Sequence, residues 1–83
     1  MMEAQAMILL VTSAEYVGNY TLLCTFNNGA KKKVNLSPLL TLPAYAELKD
    51  ENEFIRYGVD GTVFWANGAD IAPEYLFDNG VSC

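Results

Sequence analysis

One hairpin limits the fold of this chain more than any other feature. Residues 20–26 and 30–36 are two β-rich runs separated by Asn27-Asn28-Gly29. A two-residue loop at Asn28-Gly29 would set Phe26, Cys24 and Leu22 beside Lys31, Lys33 and Asn35. A three-residue loop instead aligns Phe26, Cys24, Leu22 and Tyr20 with Ala30, Lys32, Val34 and Leu36. It leaves Thr21, Leu23, Thr25, Lys31, Lys33 and Asn35 on the opposite face. Only the second choice gives one apolar and one mostly polar face. A slip of one residue would exchange the faces, so the pattern specifies the register. Gly29 supplies the left-handed residue that a three-residue hairpin loop needs. Lys32 is the misfit on the inner face.

The remaining elements follow from turn signals at short spacing. Residues 7–14 read as a first strand and Gly18-Asn19 as a turn, giving a three-stranded antiparallel meander. Ser37 reads as an N-cap before Pro38, opening an apolar turn with Leu39, Leu40 and Leu42. Pro43 begins a second helical segment to about residue 49, with Tyr45 and Leu48 at i and i+3. Asp50 and Glu53 have the spacing of a capping box that opens one more turn ending at Phe54. Asp60-Gly61 suits a two-residue type I′ hairpin between residues 55–59 and 62–65. That register pairs Val59 with Thr62, Gly58 with Val63, Tyr57 with Phe64 and Arg56 with Trp65. Gly58 then leaves room for a large ring. Asn67-Gly68 is a further turn. Pro73 starts a last short helix carrying Tyr75, Leu76 and Phe77. Asn79-Gly80 ends it, and Val81, Ser82 and Cys83 are expected as a frayed tail. The expected fold class is α+β: a three-stranded antiparallel meander, short helices, then a β-hairpin and a short C-terminal helix. Residues 1–83 form a single small domain, with about 7–77 as its core and 78–83 as the tail.

Composition narrows the function classes. The chain has 83 residues, a net charge of −5, two cysteines and no histidine. Two thiols without imidazoles do not make a tetrahedral zinc site. Cys24 lies in an apolar run, as buried thiols do, and no spacing rule pairs it with Cys83. The acidic balance opposes non-specific binding to nucleic acid or to an anionic membrane. Hydrophobic residues make up 52% of the chain, against the usual range of about 45–50%. A small domain cannot bury all of that internally, so part is expected in an interface. The apolar run 6–11 follows Glu3 without a lysine or arginine and is too short to span a bilayer. It reads as a strand, and the protein is expected to be cytoplasmic.

The hairpin ending in Asn-Asn-Gly is followed by Val34-Asn35-Leu36-Ser37-Pro38-Leu39-Leu40, by Leu48 and Asp50 before Phe54, and by Trp65-Ala66-Asn67-Gly68-Ala69-Asp70-Ile71-Ala72-Pro73-Glu74-Tyr75-Leu76. This order resembles the bacterial family catalogued as domain of unknown function 2442, over about residues 7–77. The stretch 65–73 is its most specific part. Ala66 departs from the pattern, because family members often carry proline there. The resemblance implies an α+β fold with an antiparallel sheet and short helices, and it implies no reaction. Some members carry a fused helix-turn-helix domain, and none is expected in the short stretch after Phe77. Others are small proteins encoded beside a second small protein, an arrangement similar to toxin–antitoxin pairs.

No catalytic set stands out. Without histidine there is no ready base for a nucleophile, and no Gly-x-Ser-x-Gly elbow or glycine-rich phosphate loop exists. No enzyme activity, metal or cofactor is expected. Asp60, Asp70, Glu74 and Asp78 could offer oxygen ligands but follow no calcium-loop spacing. Turn and helix-terminus roles account for Asp60, Asp70 and Glu74. Lys31, Lys32 and Lys33 alternate faces on a strand, so they read as guards of a sheet edge rather than as one basic patch. The segment 65–73 has two readings. As a recognition loop, Trp65 is an aromatic anchor beside Asn67, Gly68, Asp70 and Pro73. As structure, it is a turn and a proline-started helix with Trp65 filling the core. Gly29, Asp60 and Gly61 are read as structural turns. The expected function is a protein-interaction or regulatory module, the antitoxin-like partner in a two-gene unit, which binds another protein or itself. The alternative is a small-ligand or nucleic-acid-binding domain acting as a homo-oligomer.

Overall fold

The structure, a computed structural model, describes residues 8–82. Its elements run β1 (Val11–Tyr16), β2 (Thr21–Phe26), β3 (Lys31–Asn35), 3₁₀ helices at Ser37–Thr41 and Pro43–Lys49, α1 (Glu51–Phe54), β4 (Gly58–Val59), β5 (Val63–Phe64), β6 (Asp70–Ile71), α2 (Pro73–Asn79) and β7 (Val81–Ser82). The fold is α+β. One sheet has the order β1-β2-β3-β7 and the other β4-β5-β6.

The meander hairpin has the register that its face pattern demands. Cys24 pairs with Lys32 and Leu22 with Val34. Phe26 N–H donates to Ala30 O at 2.9 Å, and Gly29 closes the loop at φ +87°. Leu22, Cys24, Phe26 and Val34 are buried, and Lys31 and Lys33 point to solvent. The misfit Lys32 is accommodated by an aromatic face: its Nζ lies 4.5 Å from the centroid of the Phe77 ring, a favourable cation–π contact. The first strand runs later than expected, from Val11 to Tyr16. Met7 lies outside the described residues. A bulge at Thr12 keeps Val11 opposite Phe26 and Ala14 opposite Cys24. Before it, Asn27 holds the chain through side-chain bonds to Leu10 N and Ile8 O.

Several sequence expectations are corrected. Ser37 is the first residue of its helix and makes no capping bond. Asn35 takes the turn two residues earlier, its Oδ1 accepting from Ser37 N at 2.9 Å. The hairpin at Asp60-Gly61 pairs Val59 with Val63 and Gly58 with Phe64, so its loop has three residues. A type I′ turn needs positive φ at both central residues, and only Gly61, at φ +75°, has it. The observed register gathers Val59, Val63 and Ile71 in one row, with Val63 and Ile71 buried. The large ring over Gly58 is therefore Phe64. A further strand, β6, follows the Asn67-Gly68 turn. Finally, the expected tail is paired: Ser82 meets Lys32 and Val81 meets Lys33. The lysine strand is thus interior to its sheet, and β7 is the edge. Gly80 makes this return possible, because a Cβ there would lie 2.6 Å from Lys32 Cβ.

Tyrosines bolt the layers together. Tyr57 donates to Ala14 O at 2.9 Å, Tyr45 to Asp70 O at 2.7 Å, and Tyr20 to Lys49 O. Val11 N–H also reaches Gly61 O at 2.9 Å, which joins the two sheets. Phe54, fully buried, is the hub of the aromatic core. Its ring centroid is 5.7 Å from that of Tyr16, 5.1 Å from Tyr20 and 5.6 Å from Trp65.

Candidate functional site

A cleft of about 370 Å³ opens beside the most specific part of the sequence. It is lined by Glu47, Leu48, Glu53, Arg56, Trp65, Ala66 and Asn67. Three short pieces of chain build it. The 3₁₀ helix Pro43–Lys49 supplies Glu47 and Leu48, α1 and the residues after it supply Glu53 and Arg56, and the loop after β5 supplies the rest. Leu48 and Trp65 are buried and form an apolar floor. Glu47, Glu53, Arg56, Ala66 and Asn67 are exposed around it.

The loop has the same chemistry as the meander hairpin. Trp65 N–H donates to Ala69 O at 2.8 Å, and Gly68 N–H donates to Trp65 O at 3.0 Å. Gly68 has φ +95°, and no atom would crowd a Cβ there, so backbone conformation alone favours glycine. Asn67 Oδ1 accepts from Ala69 N at 3.0 Å, as Asn28 Oδ1 accepts from Ala30 N at 3.0 Å. The second loop adds one contact: Asn67 Nδ2 donates to Glu47 Oε1 at 2.8 Å. That bond ties one wall of the cleft to the other.

Local capping leaves the opposite wall free. Asp50 Oδ1 caps α1 by accepting from Asn52 N at 3.0 Å. In a full capping box the Glu53 carboxylate would reach back to Asp50 N–H. Here Asp50 N–H is taken by Glu47 O at 3.3 Å. Among the described residues neither the Glu53 carboxylate nor the Arg56 guanidinium has a hydrogen-bond or ion-pair partner.

Of the residues singled out from sequence, Trp65 and Asn67 line the cleft, and Gly68, Asp70 and Pro73 do not. Trp65 is 4% exposed. Its Nε1 donates to Phe54 O at 2.8 Å, so most of the ring belongs to the core. Asp70 lies on β6, where its backbone oxygen receives Tyr45. Pro73 begins α2. Glu47, Leu48, Glu53, Arg56 and Ala66 were not identified from sequence as site residues; the spacings that involve Leu48 and Glu53 signal helix structure, and only the folded chain brings 47–56 and 65–67 together. Among the described residues no three carboxylates or thiols come together to hold a metal ion, and no helix is long and apolar enough to cross a membrane. Cys24 is a free, buried thiol, pushed up from 9.0 to about 11 by burial. The hydrogen bond to Glu51 raises Tyr16, and burial raises Tyr57.

Residues 11–82 match the family described as protein of unknown function (DUF2442). The chain belongs to this family. The match includes the Trp65–Asn67 loop, both segments facing it and the paired C-terminal strand of this DUF2442 domain. No curated protein and no solved structure matches the chain.

Proposed function

We propose that this DUF2442 domain is a protein-interaction module without catalysis of its own, and that it docks its partner at the cleft beside Trp65–Asn67. The cleft carries this reading. It combines a buried apolar floor with polar side chains that the fold leaves uncommitted, as recognition sites do. A regulatory role in the cytoplasm, as the antitoxin-like member of a two-gene unit, is the finer form of the proposal. It draws support from the arrangement of similar family members. The small-ligand alternative draws on the same cleft, whose volume is at the small end of the roughly 300–1,000 Å³ typical of ligand pockets.

The test is a pull-down from the native host with the wild-type chain and with Ala66→Trp, which fills the cleft from an exposed position. A protein retained by the wild type and lost from a folded Ala66→Trp variant supports the proposal. Equal retention by both overturns it. Solution mass and a thermal-shift screen with small metabolites distinguish self-association and small-ligand binding.

A further inference from the structure

The charges around the cleft point to the chemistry of its occupant. Glu47 and Glu53 flank the apolar floor, with Arg56 as the cation among the lining residues. The stretch 47–56 holds four carboxylates against two cations, within a chain of net charge −5. One oxygen of Glu47 is engaged by Asn67, which leaves its second oxygen and the whole Glu53 carboxylate as acceptors. Arg56 adds guanidinium N–H donors and has no acceptor. A complementary ligand therefore brings a cationic side chain to the glutamates, an apolar group to the Leu48–Trp65 floor, and a neutral oxygen such as a peptide carbonyl to Arg56. A carboxylate on the ligand would find one cation, Arg56, opposed by the two carboxylates Glu47 and Glu53.

We propose that the cleft recognises an extended peptide segment of a partner protein that carries a lysine or arginine next to an apolar residue. This rests on the docking role proposed above and specifies the partner's chemistry. Exposed ion pairs contribute modestly, so the floor supplies much of the affinity and the glutamates supply discrimination.

The experiment titrates the ¹⁵N-labelled full chain with acetylated, amidated Leu-X-Leu tripeptides, X being arginine, lysine, glutamine or glutamate. It follows the Trp65 indole, the Asn67 side-chain amide and the Ala66 and Gly68 amides. The arginine and lysine peptides are expected to bind about two- to fivefold more tightly than the glutamine peptide, and the glutamate peptide more weakly still. Glu53→Gln should reduce that margin, as should salt concentrations that screen exposed charges. Glu47→Gln, which keeps an acceptor for Asn67, should reduce it with the loop intact. If the glutamine or glutamate peptide binds as well as the basic ones, the basic-partner assignment falls while docking at the cleft stands. If no peptide shifts these resonances, both fall.

Discussion

Replacing Gly80 by alanine should loosen the C-terminal strand and destabilise the whole domain. The backbone at Gly80 (φ −90°, ψ 159°) is open to any residue, so the cost is one of space. A new Cβ would lie 2.6 Å from Lys32 Cβ, 2.9 Å from Leu76 O and 3.0 Å from Val34 Cγ2. Lys32 Cβ belongs to a paired strand and Leu76 O to a helix, and neither can rotate away. Overpacking of this kind costs about 1–3 kcal/mol. Lower entropy of the unfolded chain returns about 0.4–1 kcal/mol when glycine becomes alanine. The net loss is on the order of 1–2 kcal/mol, or roughly 4–15 °C in Tm for a domain of this size. Urea and thermal unfolding measure it, and hydrogen exchange at Lys33 and Val81, the pair whose backbone groups face each other across β3 and β7, reports the strand pairing directly. Gly58→Ala is the control. Its Cβ would lie 2.6 Å from Phe64 Cζ, but Phe64 is an exposed side chain whose ring can swing aside, so the change should be nearly neutral. A Gly80→Ala protein as stable as the wild type, or equal costs at the two glycines, would refute the distinction between rigid and movable neighbours.

Asn67→Ala removes the acceptor for Ala69 N–H and the tie to Glu47; urea unfolding should show a loss of about 1 kcal/mol. Trp65→Phe leaves the buried Phe54 carbonyl without its indole donor and should cost about 1–3 kcal/mol, read from the urea midpoint. Stability should also fall in alkali. Cys24, Tyr57 and Tyr16 all have folded pKa values raised above their ordinary ones. Their contributions are complete below the unfolded values and are lost as pH rises, for Cys24 between 9.0 and about 11. Urea midpoints should decline across that window and decline less steeply in Cys24→Ala; identical slopes would remove the thiol from the account. Lys32→Met deletes the contact with Phe77 and should cost about 0.5–1 kcal/mol, measured by thermal unfolding.

The meander was legible because its faces are chemically distinct. Most residues of β2 and β3 support one register, with Lys32 and Leu23 the exceptions, and one slip would bury Lys31 and Lys33. The Asp60-Gly61 hairpin lacked that contrast. Its deciding row includes Ile71, on a strand that no local alternation marks, so turn preference alone suggested the wrong loop length. The pairing of Val81–Ser82 was hidden for a related reason. It depends on the space that Gly80 leaves beside Lys32, a long-range fact with no local signature. The cleft was half legible. Trp65 and Asn67 stand in a distinctive run, whereas Glu53 reads as part of a capping box and nothing local marks Glu47. Only the folded chain shows that Glu47 O occupies the donor that Glu53 would otherwise cap.

Three of the tyrosine hydroxyls described above end on main-chain oxygens, at Ala14, Lys49 and Asp70. A carbonyl is the same whichever side chain is attached to it. These fastenings are therefore indifferent to residue type at positions 14, 49 and 70, and mutation there leaves the acceptor in place. For these three bonds the burden of inheritance falls on the donor: Tyr57, Tyr20 and Tyr45 cannot change to phenylalanine without releasing a joint, while the exposed receiving positions 49 and 70 can vary with the joint intact and the partly buried Ala14 is held to a small side chain by the core, not by the bond.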